Sequence, residues 1–263
     1  MKVSIITINY NNLEGLKKTI PSVIHQRYTQ IEFIVIDGGS SDGSKTFIEK
    51  QTSNITYWIS EPDKGIYDAM NKGIEKATGD YLYFLNSGDY FYNEHVLTDL
   101  CDHQPDADII CGKIVFKSQH KERIGGHPEE VRMSQLYHSF FCHQAVFFKK
   151  RLFDEMGGYD ERFKLIADWA FISLAFTKFN ASYKYYEDVV IAYYDTTGIS
   201  SDGEKAERQI QLDKALFFNT YFPFLKKDME ELQELRVLDK RFKSRPRLYN
   251  LFIWLLTILE KKV

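Results

Sequence analysis

The sequence predicts an α/β fold: a doubly wound, mostly parallel sheet followed by a helical C-terminal tail. Three observations predict it. Several short runs are almost wholly apolar, which marks strands buried on both faces. Over the first hundred residues those runs alternate with stretches of helical spacing, the pattern of strand–helix–strand crossovers. From Gly203 onward strand signals stop and long helical patterns replace them.

The elements follow in order. Residues 3–8 form an apolar-rich run and read as the first strand. Leu13, Leu16, Ile20, Val23 and Ile24 then recur at helical spacing behind Asn12, a suitable cap. Pro21 inside that pattern predicts a kink or a break into two helices. Residues 31–36 are the second strand, and "GGSSDGS" is a turn into a helix. Residues 55–59 are the third strand, 66–77 a helix ending at Thr78-Gly79, and 81–85 the fourth strand. Past Phe91 the pattern loosens. Residues 108–116 and 145–148 read as strands and 168–179 as a helix with Trp169, Ile172 and Phe176 on one stripe. Residues 183–194 read as one or two further strands. This sets a domain over 1–202 and a helical extension over 203–263.

Composition narrows the class. The chain has 263 residues, 44% apolar and 27% charged, the ordinary globular range. A net charge of −3 gives no support for a nucleic-acid partner. Cys101, Cys111 and Cys142 are widely spaced with no CxxC pair, so a disulfide framework or cysteine zinc site is not expected and a reducing cytoplasm is. The start "MKVSIITINYNN" makes a poor secretion signal and a good strand. The sequons at Asn54 and Asn180 then carry no meaning. Charge is uneven along the chain. Residues 236–247 carry net +5 and 248–263 net +1, which leaves −9 on the preceding 235.

In an open parallel sheet, ligands bind outside the carboxyl ends of the strands. After the first strand comes Asn9-Tyr10-Asn11-Asn12; after the second, Asp37-Gly38-Gly39-Ser40-Ser41-Asp42-Gly43. After the third comes Glu61-Pro62-Asp63-Lys64-Gly65, and after the fourth Asn86-Ser87-Gly88-Asp89. Each alone is an ordinary polar turn; four in register on one edge point to a site. Two glycine signatures are excluded. "GGSSDGSK" ends in Ser44-Lys45 where a P-loop needs Lys then Ser or Thr, and no GxGxxG follows the first strand.

The segments "VSIITINYNN", "IEFIVIDGGSSDGS", "SEPDKGIYDAMNKGIEKATGDYLYFLNSGD" and "GGYDERFKLIADWAFISLAF", in that order, resemble the family 2 inverting glycosyltransferases of the GT-A fold. The resemblance covers residues 1–200. It implies a sugar transferred from a nucleotide-sugar donor, most simply a UDP-sugar, to a saccharide or lipid-linked acceptor, as in cell-surface polysaccharide or glycan synthesis. Asp37 then occupies the place of the acid that contacts the nucleotide base, with Asp63 touching base or ribose. Thr7 and Asn9 line the same pocket. Asn86, Ser87 and Asp89 stand at the family's acidic motif beside the diphosphate, where the usual acids at positions 86 and 88 are missing. Mg²⁺ or Mn²⁺ bridging phosphate oxygens and Asp89 would offset repulsion in an acidic cleft. With one carboxylate left, compensation falls to His143, His127 or a loop. Asp168 stands where the family's acid removes the acceptor hydroxyl proton; otherwise it is a helix cap. His143 is a donor- or acceptor-site residue on the same resemblance, or else a strand-end hydrogen bonder.

The loop 198–203, rich in glycine and serine, is either a lid over the donor or plain surface. "YNLFIWLLTIL" (249–259) is too short to span a bilayer as a helix. Flanked by Arg245, Arg247, Lys261 and Lys262, it either lies in an anionic membrane surface or packs on the body or a second copy. The expected enzyme is thus a cytoplasmic hexosyl- or N-acetylhexosaminyl-transferase, peripheral on the inner face of the membrane if the first of those two readings of the tail holds. The alternative is a nucleotide-sugar-binding protein on the same fold whose catalysis is impaired.

Overall fold

A computed structural model describes residues 1–118, 121–132, 136, 141–196, 203–245 and 249. His138, most of the loop 198–203 and, Tyr249 apart, the apolar segment 249–259 lie outside the described residues.

Four parallel strands build the first half of a nine-stranded sheet. β1 (Val3–Asn9) lies between β2 (Ile31–Asp37) and β4 (Tyr81–Phe84), and β3 (Tyr57–Ser60) flanks β2. The helices between them are α1 (Leu13–Ile24), α2 (Ser44–Glu49) and α3 (Ile66–Lys76). Leu16, Ile20 and Val23 of α1 pack with Val3, Ile5, Phe33, Val35, Tyr81 and Tyr83 on one face of the sheet. α3 covers β1 and β2 on the other. Gly73 makes that approach possible, because a Cβ there would collide with Cγ2 of Ile6. Helices on both faces are why these strands read as nearly unbroken apolar runs.

Asn12 caps α1 as expected, its Oδ1 accepting from Gly15 N at 3.0 Å. Pro21 neither breaks nor splits the helix: α1 runs through it to Ile24. A proline forfeits a single i→i−4 bond, and the buried stripe of Leu16, Ile20 and Val23 holds the helix on the sheet across that gap.

The second half of the sheet is mixed. β8 (Val146–Lys149) runs antiparallel to both β4 and β6 (Ile109–Lys117). β9 (Tyr183–Asp195) pairs parallel to β6, and β5 (Tyr90–Phe91) pairs antiparallel to β9 at the sheet end. β7 (Glu122–Gly125) makes a hairpin with β6. The helices here are α4 (Val96–Asp102), α5 (Lys150–Met156) and α6 (Ala167–Lys178). In α6, Trp169, Ala170, Phe171, Ile172, Ser173 and Ala175 are all buried, so it is enclosed on several sides.

The chain divides into two compact units, 1–214 and 215–263. α7 (Gly203–Tyr221) starts at the boundary read from the sequence, but the first unit continues to Lys214. Within that unit, Asp213 accepts the backbone N–H groups of Lys164 and Leu165 at 2.7 and 2.8 Å, just ahead of α6. In the second unit Phe217, Phe218, Tyr221 and Phe222 form an aromatic cluster, followed by α8 (Leu225–Lys243). No helix among the described residues is long and apolar enough to cross a membrane.

This topology gathers polar groups on one edge. Asn9, Asp37 and Ser60 are register partners at the carboxyl ends of β1, β2 and β3. Leu85 N bonds Ile6 O and Ser87 N bonds Ile8 O, which carries the segment after β4 along β1 to the same edge. β8 runs opposite to β4, so the turn preceding it, His143–Ala145, opens on that edge too.

Candidate active site

The end of β2 is a saturated carboxylate. Asp37 is fully buried. Its Oδ1 accepts from Asn9 Nδ2 at 2.7 Å and Ser40 Oγ at 2.6 Å. Its Oδ2 accepts from Ser40 N at 3.0 Å and Ser60 Oγ at 2.6 Å. Four donors fill the acceptor capacity of a carboxylate. Here the side chain ties three strand ends together, and the expected contact with a nucleotide base would require one of these donors to give way. Thr7 is likewise fully buried and gives its proton to Leu85 O at 2.7 Å, leaving only its backbone for a pocket. Asn9 is buried, and its Oδ1 has no partner.

The carboxylate that does lie open is Asp63. Its Oδ1 accepts from Gly65 N at 3.0 Å. A Cβ on Gly38 would collide with Asp63 Oδ2 and sit 3.2 Å from the ring of Tyr10, which is exposed. Lack of a side chain at position 38 thus lets an acid from the β3–α3 loop occupy the space over the end of β2. Burial pushes the Asp63 carboxyl up, against the Gly65 bond and the Lys72 charge and with the charges of Asp68 and Asp37.

The segment 86–89 is tightly braced. Gly88 N and Asp89 O both bond Thr19 Oγ1, at 3.0 and 2.6 Å. Asp89 is 4% exposed, and its Oδ1 accepts from Asp195 N at 2.8 Å. Burial lifts its carboxyl to about 7, against the Asp195 N–H bond, the His143 charge and Gln144. Asn12 Nδ2 bonds Ser87 O at 3.0 Å. Asn86 is different: its Oδ1 is buried without a partner, while its Nδ2 faces His143 Nε2 at 3.3 Å.

His143 and Asp168 are brought together. His143 Nδ1 lies 2.8 Å from Asp168 Oδ2, both side chains 15% exposed. Tyr67, on the first turn of α3, donates its hydroxyl to Asp168 Oδ1 at 2.9 Å. Burial alone would raise the Asp168 carboxyl; the His143 charge and hydrogen bond, Tyr67 and the Trp169 N–H outweigh it and hold it below the usual range. Burial alone would depress His143; the charges of Asp168 and Asp89 and the bond to Asp168 outweigh that and raise it. Both shifts run in the direction that favours an ion pair between the two side chains. Tyr159 stacks obliquely on Tyr67 at 5.6 Å, and its buried hydroxyl has no partner. Tyr67 and Tyr159 are the residues that sequence reasoning missed. Both read as core aromatics, and the hydroxyl of Tyr67 meets an acid 101 residues away.

A divalent cation fits the described residues poorly. No group of three His, Cys, Asp or Glu side chains among them could hold one. The acid expected to be its ligand, Asp89, is buried, bonded to a backbone N–H and favours its protonated form up to about 7. Positions 86 and 88 supply an amide and no side chain. Asp89 thus anchors segment 86–89 to the end of β9.

The chain belongs to glycosyl transferase family 2, whose profile matches residues 4–158. It is a glycosyltransferase of the GT-A fold. An uncharacterized glycosyltransferase of Mycobacterium tuberculosis is 38% identical, over 77% of this chain and 78% of that protein. A PGL/p-HBAD biosynthesis glycosyltransferase of Mycobacterium bovis is 30% identical, over 75% of this chain and 78% of that one. The fold is also that of S. aureus TarS in complex with UDP-GlcNAc, at TM-score 0.62 and 17% identity over 83% of this chain and 67% of that chain. The mannosyltransferase PcManGT from Pyrobaculum calidifontis, in complex with GDP-Man and Mn²⁺, matches at TM-score 0.60 and 15% identity, over 87% of this chain and 68% of that one.

Proposed function

We propose that this glycosyltransferase moves a hexosyl or N-acetylhexosaminyl group from a UDP-sugar to the hydroxyl of a saccharide or lipid-linked acceptor, with inversion at the anomeric carbon, in cell-surface glycan synthesis. The observation that carries the reading is Asp168, kept ionised by His143 and Tyr67 on the sheet edge that also presents Asn86. An ionised carboxylate with a lone pair left beside its three hydrogen bonds can take the acceptor proton as that oxygen attacks. A single displacement needs one base, and the inverted product follows from it. Asp63 supplies a carboxylate oxygen toward a base N–H, and the exposed ring of Tyr10 supplies a stacking face. The neighbours that bind UDP-GlcNAc and GDP-Man share this fold, and the mycobacterial relative named for PGL/p-HBAD synthesis supports a lipid-linked or saccharide acceptor.

The basic stretch 236–247 favours contact with an anionic membrane surface at the cytoplasmic face. Removal of residues 244–263 should lower binding to anionic vesicles; unchanged binding would end that part of the proposal. The loss of acids at 86 and 88 favours a second reading, a donor-binding protein without turnover. Transfer assays with UDP-, GDP- and dTDP-sugars decide between the two. Release of nucleotide diphosphate that Asp168→Asn abolishes supports the enzyme; binding without turnover for every donor supports the second reading.

A further inference from the structure

A base in a single displacement must meet the acceptor hydroxyl in one orientation. A carboxylate held by one oxygen still turns about the bond that joins it to its side chain. Asp168 is held by both. His143 Nδ1, from the turn ahead of β8, lies 2.8 Å from Oδ2. Tyr67, from the first turn of α3, gives its hydroxyl to Oδ1 at 2.9 Å. Each oxygen is gripped by a different element, so the plane of the carboxylate is set from two directions.

The Tyr67 ring is itself locked. It is 5% exposed. Tyr159, from the loop between α5 and α6, packs against it with ring centroids 5.6 Å apart and against Phe171 at 5.5 Å. Phe171 lies one turn along α6 from Asp168. Phe84 of β4 and Phe153 of α5 close around Tyr159 at 5.3 and 5.6 Å. Tyr159 is thus a wedge that sets the first turn of α3 against the first turn of α6. The same turn of α3 is strapped from the donor side. Asp68 Oδ2 accepts from Lys64 N at 3.0 Å, and Lys72 Nζ bridges Asp68 at 3.4 Å and Glu61 at 3.0 Å. Packing alone would be served by phenylalanine at 67, as it is at 84, 153 and 171. The hydroxyl has a separate task.

We propose that Tyr67 is the positioning residue of the acceptor base: its hydroxyl, placed by the Tyr159 wedge, fixes the plane of the Asp168 carboxylate so that the remaining lone pair keeps one direction toward the acceptor. This rests on the reading of Asp168 as the base. The groups that face Asp168 are Tyr67 from α3, Cys142 and His143 from the segment ahead of β8, Tyr159 from the loop after α5, and the Trp169 N–H of its own helix; Asp89 acts on His143. Among these, the Tyr67 hydroxyl stabilises the ionised carboxylate by donating to it, so its loss moves the carboxyl upward.

The test is the pH profile of kcat for Tyr67→Phe in the full chain. The variant should lose about tenfold to a hundredfold in kcat, the scale of one hydrogen bond to a charged group, with the donor KM within about twofold. The acid limb of its profile should move to higher pH, which a hydroxyl serving stability alone would not cause. If Tyr67→Phe does not fold, 3-fluorotyrosine placed at position 67 keeps the ring and makes its hydroxyl a stronger donor, so the limb should move to lower pH. An unmoved limb in whichever variant folds, or an unchanged kcat in Tyr67→Phe, overturns the inference and leaves Asp168 as the base. Transfer that survives Asp168→Asn, or no transfer from any donor, overturns both.

Discussion

The two edges of one sheet treat buried carboxylates in different ways. At the amino edge, Glu32 accepts from Lys2 Nζ at 2.8 Å, Ser4 Oγ at 2.6 Å, Thr78 N at 2.7 Å and Thr78 Oγ1 at 2.6 Å. Burial would raise this carboxyl, but those bonds win and hold it at about 2. At the carboxyl edge, Asn9 Oδ1 and Asn86 Oδ1 are buried without partners, and Asp89 is pushed up to about 7. The first arrangement is what a structural acid needs. The second leaves polar capacity unspent, which costs stability and keeps groups available for a ligand. Asp37 shows that the division is not absolute, since it is as fully bonded as Glu32 yet lies on the open edge.

Substitutions on each side sharpen this contrast. The largest effect belongs to Asp168→Asn, which should lower transfer by about 100- to 10,000-fold, the range of a lost general base, with the far-ultraviolet circular dichroism unchanged. Transfer at the original rate would remove Asp168 from the mechanism. Next is Asp89→Asn. The native Asp89 carboxyl holds its proton up to about 7, far above an unfolded aspartate. Its contribution to stability is therefore full below about pH 4 and is lost as pH rises to about 7. Urea titrations of the variant should show that decline flattened.

Glu32→Gln tests the opposite edge. The native Glu32 carboxyl gives up its proton more readily than the unfolded one, so its contribution is intact above about 4.5 and disappears as pH falls through about 2. The variant should lose about 3 kcal/mol at neutral pH, with the kcat of transfer unaltered. Gly73→Ala should cost about 1–3 kcal/mol by overpacking against Ile6; an unchanged urea midpoint would show that α3 can shift freely. The smallest effect is expected from Asp63→Asn, which should weaken nucleoside binding by about tenfold without moving the midpoint. If Asp37→Asn weakened binding more than Asp63→Asn at equal stability, the assignment of the open carboxylate would be reversed.

The first four strands were legible because each is an apolar run bounded by turn residues, and helices on both faces demand that pattern. β5 and β7 were not. Two residues carry no periodicity, and the exposed "ERIG" of β7 has no buried face to betray it. Asp168 was visible through its motif, but its environment was not: Tyr67 and His143 reach it from 101 and 25 residues away, and nothing in local spacing records such pairs. The surroundings of Asp37 and Asp89 were hidden for a related reason. Both are acids in the expected places, but whether a carboxylate faces a ligand or a backbone amide depends on Ser60 and Asp195, which other strands deliver.

The two amides that Asp213 receives set a practical limit on how this enzyme can be shortened. They belong to the stretch that leads straight into Asp168, and their acceptor comes from beyond the point where the sequence pattern changes. A fragment cut at residue 202 would keep every strand of the sheet and every motif of the family. It would also strip two peptide groups of their acceptor three and four residues upstream of the base, so loss of activity in such a truncation would report a loosened hinge and not a missing catalytic group.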